Sequence, residues 1–113
     1  VLVAFDLPDG RRARSFYDPQ AALQGEWRQL DLQMTGSPNP PVPRPGALAA
    51  ACAFAMAVGA RFEQVRVDLL HAPDEALYLT ELTLCDMDAR VRFAPAAFDA
   101  TLGADWDVSA WYP

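Results

Sequence analysis

The sequence predicts a small α+β domain: an antiparallel sheet built from two hairpins, with one main helix packed on it. Three observations carry this. An aspartate-glycine turn sits between two strand-like runs near the start, an alanine-rich stretch closed by Gly59 lies in the middle, and a second pair of apolar runs flanks His71–Glu75. With 113 residues the chain is one domain at most, long enough to bury a modest core.

Residues 1–6 and 12–17 flank Pro8, Asp9 and Gly10, a turn sequence that predicts the first hairpin. Residues 18–45 are expected to be mostly irregular, with Trp27, Leu30, Leu32 and Met34 as scattered anchors. Pro38, Pro40, Pro41, Pro43 and Pro45 hold the end of this segment extended, as a rigid connector or as a P-x-x-P peptide ligand. Residues 46–58 are predicted helical, with Pro45 near the start and Gly59 at the end. Leu48, Cys52, Ala55 and Met56 form one stripe, and Phe54 and Val58 widen the apolar surface. A helix apolar nearly all round either packs on more than one side or leaves alanines in solvent.

The second hairpin runs from Val65 to Leu84. Alternation puts Val65, Val67 and Leu69 on one face and Arg66, Asp68 and Leu70 on the other. With Leu70 opposite Leu77, Arg66 faces Glu81 and Asp68 lies diagonally. With a loop two residues longer on the second side, Asp68 faces Glu81 directly. Both registers put the two carboxylates on one face, about 5–8 Å apart at Cβ. Like charges that close repel, so a cation belongs between them: the Arg66 guanidinium on a solvent-washed face, or a metal ion. Thr83, two residues beyond Glu81, points the same way and adds a hydroxyl, with Leu79 in the same patch. Two carboxylates, a hydroxyl and an arginine suit magnesium carrying phosphate oxygens.

Residues 86–92 form a charged loop whose Asp86 and Asp88 are a D-x-D able to touch a metal or to pair with Arg90 and Arg92. Pro95 opens a short helix through Leu102. Trp106, Trp111 and Tyr112 are packing anchors, and His71 receives no role. Cys52 and Cys85 match no metal spacing and no disulfide framework.

The formal charge is −6 and all nine basic residues are arginine, so a nucleic-acid-binding surface is not expected. No basic region precedes an apolar run at Val1, and the longest uncharged run, 45–60, is too short to span a bilayer, so a cytoplasmic protein is expected.

The runs "FYDP" at Phe16, "PNPPVPRPGAL" before the helix, "VRVDLL" at Val65, "YLTELTL" at Tyr78 and "FAPAAFDATLGADWD" at Phe93 together resemble the C-terminal part of the ATP-grasp superfamily, in its TupA-like group related to teichuronopeptide biosynthesis. The resemblance covers most of the chain. It implies ATP and Mg2+ as cofactors, Asp68 and Glu81 as magnesium ligands, Arg66 as the catalytic contact to the terminal phosphate or acyl phosphate, and Thr83 in the place of a metal-binding asparagine. The implied activity is that of the catalytic-core half of a magnesium-using carboxylate ligase in cell-surface glycan or peptide assembly. Its partners would be nucleotide, a carboxylate substrate, and a missing N-terminal ATP-binding lobe or partner chain carrying the phosphate-gripping lysines. The alternative is a non-catalytic interaction domain derived from such a lobe.

Overall fold

The computed structural model describes residues 1–35, 40–85, 90–104 and 109. The D-x-D aspartates and the three C-terminal aromatic anchors lie outside the described residues. Among the described residues the chain is α+β, with antiparallel strands and three helices.

Strands β1 (Leu2–Asp6) and β2 (Arg12–Phe16) form the first hairpin, from Leu2 opposite Phe16 to Asp6 opposite Arg12. Gly10, at φ 80°, supplies the left-handed turn residue, and the Asp9 carboxylate accepts from the Arg11 backbone N–H at 3.1 Å. Strand β2 buries alternate residues, Ala13 and Ser15, and Tyr17 continues the same face inward.

A short helix, α1 (Pro19–Leu23), interrupts the segment expected to be irregular. Its signals are local. Asp18 caps it, accepting from the Gln20 and Ala21 N–H groups at 2.9 and 3.3 Å, and Pro19 stands at its first position. The Arg28 guanidinium also donates to Asp18 and, together with these N–H groups, holds the Asp18 carboxyl below its ordinary pKa.

The proline-rich segment is not a free ligand. The Tyr17 hydroxyl accepts from Val42 N at 2.9 Å, Trp27 Nε1 donates to Val42 O at 3.1 Å, and the Ser15 hydroxyl donates to Pro40 O. Tyr17 and Trp27 stack at 3.6 Å between centroids, and Val42 is buried beside them. The connector is therefore clamped onto the body of the protein, which orders the approach to the next helix.

That helix, α2 (Leu48–Gly59), begins two residues later than expected, after a turn in which Leu48 N donates to Pro45 O at 3.2 Å. It buries only Leu48 and Cys52, which pack with Ala22 and Trp27. Met56, predicted to extend that stripe, is 59 % exposed. One flank of α2 meets α1 and another meets the second hairpin, so the all-round apolar character is only partly used.

The second hairpin comprises β4 (Arg66–His71) and β5 (Leu77–Thr83). Strand β3 (Gln33–Met34) pairs antiparallel with β6 (Phe93–Ala94), and α3 (Ala97–Gly103) follows. The strands do not join into the expected single sheet: among the described residues they form three separate two-stranded units. Alternation shows that a strand pairs, but hairpins join only where their edges are free to meet. Here Phe16 instead meets Phe93 edge-on at 5.9 Å, linking the first hairpin to β6 by side chains. No described helix is long and apolar enough to cross a membrane.

Candidate functional site

The site is the exposed face of the β4–β5 hairpin. Its turn holds Glu75 at φ 65° and closes with Glu75 N to Ala72 O at 3.0 Å and Ala72 N to Ala76 O at 2.9 Å. His71, given no role from sequence, lies with Nε2 3.0 Å from Glu75 Oε2 and stiffens this end.

Near the turn the register is neither of the two expected, but beyond Thr80 it is the second of them, in which Asp68 faces Glu81 directly. From the turn, His71 faces Leu77, Leu70 faces Tyr78 and Leu69 faces Leu79; continued regularly, Asp68 would face Thr80 and Glu81 would turn to the α2 side. A bulge intervenes. Thr80 has no opposite residue, its hydroxyl donates to Asp68 O at 3.0 Å, and beyond it Asp68 faces Glu81, Val67 faces Leu82 and Arg66 faces Thr83. The single extra residue thus brings Glu81 onto the face of Asp68, and Thr80 is the structural determinant that alternation alone does not reveal.

The four predicted residues, Arg66, Asp68, Glu81 and Thr83, meet on that face. Leu79 does not join them: paired with Leu69, it lines a groove of about 390 Å³ with Leu77 and the α2 residues Ala50 and Phe54. Arg66 grips Asp68 with two bonds, Nε to Oδ1 at 2.8 Å and NH2 to Oδ2 at 3.1 Å. Its NH2 also lies 3.6 Å from Glu81 Oε1, and the Thr83 hydroxyl donates to that oxygen at 2.6 Å. The guanidinium thus takes the place between the carboxylates. Side-chain exposures of 37 % for Arg66, 35 % for Asp68 and 56 % for Glu81 keep the set in contact with water.

A magnesium ion takes six oxygen ligands, and two carboxylates, one of them held by arginine, would leave the remaining positions to water or to a bound phosphate. Among the described residues no group of three or more His, Cys, Asp or Glu is arranged to hold a metal ion. Cys52 and Cys85 are both free thiols, the first buried and the second exposed.

The other face of the hairpin is apolar and half covered. Helix α2 lies over it on the β4 side, leaving Val67 and Leu69 only partly accessible, while Leu79 and Leu82 on β5 remain 48 % and 43 % exposed, with Phe54 of α2 at 43 %. No family model, no curated protein and no solved structure matches this chain.

Proposed function

We propose that this chain is a non-catalytic interaction domain whose working surface is the β5 side of the second hairpin and the adjoining flank of α2. The observation that carries the reading is the half-covered apolar face: Leu79 and Phe54 line a groove between the hairpin and α2, and Leu82 stands exposed on the same face beside it. Apolar side chains gathered on one exposed face mark an interaction surface, whereas singly scattered ones do not. The polar face supports the same reading, because Arg66 already lies against both carboxylates and offsets one of their two charges.

The experiment compares Leu79→Lys and Leu82→Lys with the wild type by urea denaturation at high dilution, alongside calorimetric titration with magnesium and ATP. Interaction residues are dispensable for the folded monomer, so both variants are expected to keep their stability within about 0.5 kcal/mol, with no heat of nucleotide binding. Losses of about 2 kcal/mol or more would make these leucines core residues and sink the reading.

The bulge supports a second reading, because it places Asp68 and Glu81 directly opposite one another with Arg66 and Thr83 beside them. In that reading the chain is the catalytic-core half of a cytoplasmic ATP-dependent carboxylate ligase of the ATP-grasp kind. The remaining magnesium ligands would come from the nucleotide, and the phosphate-gripping lysines from another lobe. It requires Arg66 to release Asp68. Saturable magnesium-dependent ATP binding that Asp68→Asn abolishes would favour it over the interaction domain.

A further inference from the structure

We propose that two copies of this chain associate through the free edges of β5, joining their second hairpins into one four-stranded antiparallel sheet with an α2 helix from each copy on the same side. The proposal rests on the interaction-domain reading and names the occupant of its surface.

The edge is built for pairing. Strand β5 is seven residues long, belongs to a two-stranded unit, contains no proline, and carries one charge, Glu81, which is already drawn towards Arg66. Edge strands that avoid association usually carry lysines, prolines or inward charges, and the main blunting feature here is the bulge at Thr80.

The sequence of β5 is also self-complementary. A two-fold pairing must put residues of the same face opposite one another. Leu77, Leu79 and Leu82 lie on the α2 side, and Tyr78, Glu81 and Thr83 on the other. A pairing centred between Thr80 and Glu81 meets the requirement along the strand: Leu79 falls opposite Leu82 of the second copy, Tyr78 opposite its Thr83, and Leu77 opposite its Leu84. Glu81 then faces the Thr80 hydroxyl, so no carboxylate opposes another. Because the bulge reverses the alternation between Leu79 and Leu82, these two leucines, three residues apart, share a face. The second copy would lay its own hairpin and helix beside the open half of the groove, covering Leu79, Leu82 and Phe54.

A stable interface needs about 800 Å² from each partner, and the apolar surface offered to it is that of the exposed Leu79, Leu82, Leu84 and Phe54.

Sedimentation equilibrium from sub-micromolar to high-micromolar concentration tests the association. A concentration-dependent dimer is expected, weakened at least tenfold by Leu82→Lys and also by Leu84→Lys, which lies just beyond the strand and leaves its interior untouched. Register is read by disulfide trapping in a Cys85→Ser background: mixing Leu79→Cys with Leu82→Cys chains should give a covalent heterodimer under mild oxidation, and neither variant alone should give a covalent dimer. A chain that stays monomeric throughout, or a dimer indifferent to both lysine substitutions, would overturn the proposal. The interaction-domain reading itself stands or falls on monomer stability at high dilution, so the two failures are distinguishable.

Discussion

Asp68 and Glu81 face one another directly across β4 and β5, and one guanidinium, that of Arg66, lies against both. Directly opposed like charges destabilise a sheet, so this cation is what makes the arrangement tolerable. Removing it leaves a like-charge pair on a water-accessible face.

Arg66→Ala is therefore expected to cost about 1 kcal/mol at neutral pH, a modest figure because all three groups are partly exposed and screened. Magnesium at millimolar concentration should restore part of the variant's stability and leave the wild type unchanged. Urea denaturation with and without magnesium checks this; equal stabilisation of both proteins would show that the ion displaces the guanidinium, as the ligase reading requires.

The clamp on the proline-rich segment makes a sharper demand. Tyr17 is 2 % exposed, and its hydroxyl is the acceptor for Val42 N. Tyr17→Phe keeps the ring stack on Trp27 but leaves that buried N–H without its acceptor, at a cost of about 1–3 kcal/mol. Tyr78→Phe, at a site 53 % exposed, should change stability by no more than about 0.5 kcal/mol. Chemical denaturation of the two variants side by side makes the comparison, and equal effects would contradict the clamp.

Much of this architecture is legible in the sequence because its causes are local. Asp9–Gly10 and the alternation around it indicate the first hairpin, and alanine periodicity up to Gly59 indicates α2. Asp18 and Pro19 are local signals for α1 as well, but a single turn between irregular stretches gives no periodicity to support them. Other features have non-local causes. The pairing of Gln33 with Ala94 joins two-residue strands far apart in the chain, too short for any pattern. The four polar residues of the second hairpin were identifiable as a set, because charges inside apolar strands call for partners. Alternation puts Leu79 on the wrong face because the bulge at Thr80 is a backbone event without a distinctive residue type, and it reverses the alternation at that point.

Acid should expose the role of Asp18. Its carboxyl is held below the ordinary range first by Arg28 and then by the N–H groups at the start of α1. A depressed folded-state pKa means that the stabilisation is complete above the unfolded value, about 3.9, and is lost as pH falls through the lower folded one. Asp18→Asn keeps a good capping residue but removes this titration. Its melting temperature is expected to fall less steeply than that of the wild type as pH drops below about 4. Thermal melts across that range decide it, and identical acid slopes would assign the acid sensitivity to other carboxylates.

The bulge supplies the last prediction. Thr80 has no opposite residue, so deleting it should close β5 into a regular ladder while every other residue keeps its partner and its face. The lost hydrogen bond to Asp68 O is exposed, and the regained ladder offsets part of it, leaving a net change of about 1 kcal/mol or less. Deleting Val67 is different. Arg66 would then take the position opposite Leu82, turning its charge onto the α2 side and away from Asp68, with an expected loss of about 2 kcal/mol or more. Urea denaturation of the two single-residue deletions tests the assignment. If removal of Thr80 proves as costly as removal of Val67, then Thr80 is a paired member of the strand, and the direct opposition of Asp68 and Glu81 has to be abandoned with it.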